Sequence, residues 1–236
     1  LRGRTVFCLF PHQTAYVVPA EAVAVVPAEV PPERAVLAGT VETAINAVWD
    51  AGPLVGDRIT VVGAGMVGCS IARLVAGVPG TRVTLVDVDH TRAHIAASLG
   101  VDFASPEDAL GGQDLVFHAS ATSAGLQLSL ALLAADQAVV DVSWYGEQPV
   151  QLSLGGAFPS RRLGSRASQG GDIAMARRGR RTPAERRALS LDLLRDPAFD
   201  ALLTGASTFD ELPEVMAQLS DGRLQAVCHT LTYDEG

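Results

Sequence analysis

The stretch Val61 to Ser70, VVGAGMVGCS, limits what this chain can fold into more than any other. An apolar run from Arg58 to Val62 reads as a strand and leads into Gly63, Gly65 and Gly68, spaced G-x-G-x-x-G. A helical pattern from Met66 to Ala76 follows. Gly63 permits a tight turn, Gly65 lets the backbone approach a pyrophosphate, and Gly68 lets the helix sit close on the strand. An anion placed there meets the free amides and positive dipole end of the helix, at Met66 and Val67.

Three glycines are weak evidence on their own. They gain weight from the following strand, RVTLVDVD, which ends in Asp87, 19 residues after Gly68. A carboxylate at that place can accept both hydroxyls of an adenosine ribose. It also repels a 2′-phosphate, and Val88 offers such a phosphate no charge, so NAD is expected over NADP. Arg92, five residues on, works against that preference.

The rest of the middle region alternates strand and helix, which predicts a doubly wound parallel sheet of Rossmann type, an α/β fold. Strands are expected at 58–62, 82–86, 101–104, 114–118 and 138–142, with a sixth at 163–167. Helices are expected at 66–76, 90–99, 123–134 and 183–194. The strands are apolar almost throughout, as a sheet covered on both faces requires. Ahead of this region, TVFCLF, AYVV and AVAVVP read as short antiparallel strands, and Pro31 and Pro32 introduce a helix over 35–51 that stops at Gly52-Pro53. Beyond it come a strand at 201–204, a helix at 210–219 and a last strand at 225–233.

In such sheets ligands lie beyond the carboxyl ends of the strands, at the point where strand order reverses. Two strand ends besides the glycine loop should therefore line the crevice. One is FHASAT, where the small residues Ala119, Ser120 and Ala121 let a cofactor ribose lie against backbone. The other is VSWYG, which puts Ser143 and Trp144 near the nicotinamide, with Trp144 and Tyr145 as walls. His118 could transfer a proton, though a strand-end histidine is more often held in place by packing or hydrogen bonds.

Composition excludes several function classes. The formal charge of −8 argues against a nucleic-acid surface. The chain has no lysine, and half of its 18 basic residues, all arginine, fall between Arg161 and Arg187. That segment reads as a solvated connector in preference to a phosphate- or partner-binding patch. Prolines and glutamates break the apolar run 17–30, so no membrane span is expected, and a cytoplasmic location is the default. Cys8, Cys69 and Cys228 are too few and too dispersed for a disulfide framework or a cysteine-ligated zinc, and read as small buried residues. The first methionine is Met66, so residue 1 is not expected to be the natural start.

Taken in order, YVVPAEAVAVVPAEVPPERAVLAG, ETAINAV, RITVVGAGMVGCSIARL, VTLVDVD, DLVFHASAT and LLTGASTFDELPEVMAQLSDG resemble the medium-chain dehydrogenase/reductase family, the zinc-type alcohol dehydrogenases in particular. The resemblance implies that residues 1–34 end a GroES-like β domain, that 35–203 form the Rossmann domain, and that 204–236 return to the first domain. It implies hydride transfer between NAD(H) and a small alcohol or carbonyl substrate, and the option of a homodimer. Thr43 matches a threonine that the family places near the nicotinamide. The family's zinc is another matter: the half of the catalytic domain that supplies two ligands is absent, and the position of a third is Gly39. Glu42, one turn on, is either a substitute or a helix-start carboxylate. No catalytic residue and no metal ligand can be assigned. Two rival readings are a degenerate relative that binds a dinucleotide without catalysis, and an S-adenosylmethionine-dependent methyltransferase. The complete glycine motif, and the lack of an acid in the strand before it, count against the second rival.

Overall fold

In the computed structural model, residues 1–233 are described; the last three residues of the 204–236 segment lie outside them. The chain begins with two strands paired antiparallel, β1 (Val6–Phe7) and β2 (Ala24–Val25). The strand expected at AYVV is not formed. Val17 is 97% exposed, so the apolar side chains there find no face to bury, and Pro19 leads instead into a 3-10 turn at Ala20–Ala22. The helix expected over 35–51 is split into α1 (Pro32–Ala35), with proline at its first position, and α2 (Ala38–Ala51).

The central region follows the sequence pattern closely: β3 (Arg58–Val62), α3 (Met66–Ala76), β4 (Arg82–Val86), α4 (Ala93–Leu99), β5 (Asp102–Ala104), β6 (Leu115–His118), α5 (Ser123–Leu132), β7 (Ala138–Asp141), α6 (Ala157–Ser160) and β8 (Gly164–Ala167). The expected start of α4 at His90 is a 3-10 turn, because the Asp89 side chain accepts the Thr91 amide at 2.9 Å and caps it. After β8 come α7 (Pro183–Leu193), β9 (Leu203–Thr208), α8 (Leu212–Ser220) and β10 (Cys228–Thr232). The strand expected at 201–204 is displaced toward the C-terminus, since Pro197 opens a 3-10 turn that runs to Leu202.

Six strands form one parallel sheet in the order β5-β4-β3-β6-β7-β8. Strand order reverses on either side of β3, which opens a crevice at the carboxyl ends of β3, β4 and β6. Val62, Val86, Val116 and Val139 from four neighbouring strands pack with Leu126 and Leu130 of α5 in a core that excludes water. The helix cover explains why these strands are apolar on both faces.

The chain divides into two compact units. Thr40–Pro183 contains the six-stranded sheet. The other unit joins Leu1–Gly39 to the segment from Ala184 onward, and contains the β1-β2 pair and a β9-α8-β10 crossover whose strands run parallel. Within it, buried Arg34 forms a two-point ion pair with Asp200, 2.7 Å at each oxygen, and donates to the carbonyls of Leu194 and Arg195.

Candidate dinucleotide site

The glycine loop has the geometry that its sequence demands. Gly63 sits at φ +110°, and a Cβ there would lie 2.7 Å from the Ala119 carbonyl carbon and the Ser120 amide nitrogen. A Cβ on Gly68 would lie 1.9 Å from the Gly63 carbonyl oxygen. Both are therefore fixed as glycine by the protein itself. Gly65 differs: it is exposed, caps α3 with extended backbone, and a Cβ on it would have no protein atom within 4 Å. The space it faces is open to a ligand. Met66 and Val67, half-buried, form the first turn of α3 beside that space, with their amides at the positive end of the helix.

Asp87 stands just past the end of β4 and is half-buried. One of its oxygens accepts the Ala64 amide at 2.6 Å and the other accepts the Asp89 amide at 2.9 Å. The carboxylate thus ties the glycine loop to the neighbouring strand end, a task that motif spacing alone does not reveal. Each oxygen keeps a further lone pair for a ribose hydroxyl. Val88 projects into solvent at 79% exposure, and the Arg92 guanidinium is 3.1 Å from the Asp89 carboxylate. Beneath the loop Cys69 is fully buried with its thiol toward the Ala64 carbonyl, and burial pushes that thiol up to about 12.

On the other side of β3, Ala119, Ser120 and Ala121 lead from β6 to α5, with Ala121 at φ +53°. Thr122 caps α5 by accepting the Gly125 amide at 3.0 Å. The Ser143 hydroxyl, beyond β7, accepts the Ala121 amide at 3.0 Å, so the two strand-end loops are joined. Trp144 is 77% exposed. Thr43 on α2 packs against the loop that follows β8: a Cβ on Gly170 would lie 2.7 Å from its hydroxyl oxygen. That loop is held by α2, where Asn46 donates to the Gln169 carbonyl at 3.0 Å and accepts the Ala174 amide at 2.8 Å, and Asp50 accepts the Ser168 hydroxyl at 2.7 Å.

The sequence marks His118 only as a strand-end histidine, and its surroundings emerge from the structure. Its ring is fully buried. Nδ1 lies 3.0 Å from the Asp141 carboxylate and 3.1 Å from both the Ser143 and Tyr145 hydroxyls, and Nε2 lies 2.8 Å from the Ser120 hydroxyl. Tyr145 also donates to the second Asp141 oxygen at 3.1 Å, and the Ser143 amide donates to the first at 3.0 Å. Burial pushes the Asp141 carboxyl up, but these hydrogen bonds outweigh burial and leave it below the ordinary carboxylate value. Burial, then the Asp141 charge, raises the Tyr145 phenol. The signal was parallel register: His118 and Asp141 are paired Cα positions at the ends of β6 and β7.

No protein-family model matches the chain, and no curated protein matches it. Solved structures do. L-idonate 5-dehydrogenase from Escherichia coli superposes with a TM-score of 0.76 at 19% identity, over 92% of this chain and 62% of its own. A structure described as a short chain alcohol dehydrogenase from Escherichia coli, in complex with NADH, gives 0.71 at 18% identity, over 91% of this chain and 63% of its own. A zinc-binding dehydrogenase structure from Sinorhizobium meliloti, bound to NADP, gives 0.71 at 18%, over 92% and 63%. The fold is that of the medium-chain dehydrogenases. This chain spans about three fifths of the length of these dehydrogenase structures.

The cradle around Gly65 and Asp87 fits the dinucleotide of these dehydrogenases. The described residues do not assemble the zinc site that the family resemblance implies. Gly39, which the family resemblance sets against a zinc ligand, has no side chain and faces Leu9 and Phe7, whose carbons would lie 3.0 and 3.7 Å from a Cβ there. Glu42 is buried at 5% exposure. Among the described residues no three His, Cys, Asp or Glu side chains come together as a metal-binding group, and no helix is long and apolar enough to cross a membrane.

Proposed function

We propose that this chain is the cofactor-binding part of a cytoplasmic oxidoreductase that moves hydride between NAD(H) and a small alcohol or carbonyl compound. The observation that carries the reading is the open face of Gly65, set between two glycines that the protein backbone itself requires and one strand away from Asp87. In this reading the Met66 and Val67 amides hold the pyrophosphate and Asp87 holds the adenosine ribose. Thr43, Ala119, Ser120, Ala121, Ser143 and Trp144 then surround the nicotinamide half, with Val88 and Arg92 at the adenosine end. The bound nicotinamide supplies or accepts the hydride. The chain's own residues bind and orient it and exclude water beneath it. NAD is preferred over NADP because Asp87 repels a 2′-phosphate while Arg92 is engaged by Asp89. The middle of the chain is then the Rossmann domain and the two ends belong to a GroES-like domain. A homodimer of the family's kind would pair an edge strand from each sheet; β8, one of the two outer strands, is short and interrupted by Gly164 and Arg166, which makes it a poor edge for that pairing.

A second reading is a dinucleotide-binding relative without catalysis, which the apolar surroundings of Gly39 favour. Parallel calorimetric titrations with NAD and NADP, with metal analysis of the same sample, test both. Binding of NAD with much weaker binding of NADP supports the central reading, and turnover in a substrate screen then separates the two. Binding of neither nucleotide overturns both.

A further inference from the structure

The buried polar cluster beneath the 119–121 loop is larger than cofactor binding by small residues requires. Five side chains converge on a fully buried ring: Asp141, Ser143 and Tyr145 at Nδ1, Ser120 at Nε2, and Thr122 through Ser120 at 3.0 Å. Burying so many polar groups at a strand end is costly unless each is satisfied, and a satisfied network rigidifies what it touches. What it touches is the backbone from Ala119 to Ala121, against which Gly63 already packs and whose Ala121 amide Ser143 captures. Ala121 is held at φ +53°, a left-handed conformation that a non-glycine residue keeps only where its surroundings impose it.

We propose that His118 is a positioning residue for the nicotinamide half of the dinucleotide. The inference rests on the cofactor reading above. With the adenosine ribose at β4 and the pyrophosphate at β3, the other half of a dinucleotide can only continue over β6 and β7. Asp141 accepts from Nδ1–H, which leaves Nε2 as an acceptor and turns the Ser120 hydroxyl inward, away from the ligand. Ser120 and Ser143 then fix the loop at the height where ribose and nicotinamide rest on it. The titratable groups facing His118 are Asp141 and Tyr145; its other neighbours, Ser120, Ser143 and Gly125 on the first turn of α5, are uncharged.

The Ser120–His118–Asp141 order is also that of acyl-transfer enzymes. Here the serine oxygen is shared with Thr122 and packs so closely on α5 that a Cβ on Gly125 would lie 2.0 Å from it. The serine hydroxyl is committed to His118 and Thr122, and the cluster serves to hold the loop.

The test compares ligands that reach the loop with one that does not, in the full chain. His118→Ala is expected to weaken NADH about tenfold or more, the worth of one to two buried hydrogen bonds, and to abolish the rise in NADH fluorescence on binding, while ADP affinity stays within about twofold. Ser120→Ala, a milder change, should move NADH and ADP in the same pattern. His118→Gln carries an amide to the place of Nε2 and should recover most of the NADH affinity; His118→Asn reaches only the place of Nδ1 and should not. Unchanged NADH binding in both alanine variants overturns the proposal, as does equal weakening of NADH and ADP, or equal rescue by Gln and Asn. A wild-type chain that binds neither ADP nor NADH removes the cofactor reading itself, whereas a wild-type that binds both and is indifferent to His118 removes only the positioning role.

Discussion

Gly65, the cap of α3, and Gly68, in its first turn, lie three residues apart and are held to glycine by different forces. A methyl on Gly68 meets the Gly63 carbonyl oxygen at 1.9 Å, a backbone atom that cannot swing aside. Gly68→Ala should therefore cost about 1–3 kcal/mol of stability, the usual cost of overpacking, read as a lowered denaturation midpoint. A methyl on Gly65 meets nothing and the residue keeps φ −80°, so Gly65→Ala should leave the midpoint nearly unchanged. Its effect belongs to the ligand: NAD affinity should fall tenfold or more because the methyl occupies the place of the pyrophosphate. A Gly65→Ala variant that binds NAD as the wild type does would show that the open face is not a phosphate seat. The same distinction applies to Asp87, whose two backbone hydrogen bonds give it a structural duty beside the ribose contact that its position in the motif announces.

At the scale of elements, β3 and β6 are tied at their starts by Arg58 and Asp114. The guanidinium makes two hydrogen bonds of 3.0 Å to the carboxylate, and the Arg58 amide adds a third of 2.9 Å. Hydrogen bonding from Arg58 lowers the Asp114 carboxyl to about 2. A depressed folded-state value means that the pair stabilises fully above the unfolded carboxylate value, about 4, and that this is lost as pH falls through about 2. Asp114→Asn should lower stability in the neutral region, by a modest amount because both partners are well solvated, and flatten the acid limb between those values so that variant and wild type converge near pH 2. Legibility varied by element for physical reasons. β3, α3 and β4 fall on their expected bounds because glycine, proline and charge punctuate them. β9 was expected earlier because Pro197 spends Ala201 and Leu202 in a 3-10 turn. The crevice loops at 119–121 and 143–144 were legible as strand ends. The His118 cluster was not, because it depends on a register across two strands that are 23 positions apart in the chain. The hold of Asn46 and Asp50 on the 168–175 loop was equally invisible, being a contact between a helix and a loop more than a hundred residues away.

For the molecule as a whole, the arrangement of the units in sequence matters more than their size. The unit with the large sheet is one continuous piece, Thr40–Pro183, whereas the other is assembled from both ends of the chain. Closing a loop of that length is entropically costly before its contacts form, so the continuous unit should fold first and independently. Deleting the segment from Ala184 onward should leave the parallel sheet folded, with its amides protected in hydrogen exchange, while residues 1–39 lose protection. If residues 1–39 stay protected, they do not need the distant segment. The continuous unit also contains its own timepiece. Cys69 is sealed under the glycine loop as an unreactive thiol, so an alkylating reagent can reach it only when α3 lifts from the sheet. The rate at which that one sulfur is labelled therefore counts openings of the nucleotide cradle, and a bound dinucleotide should make the clock run slow.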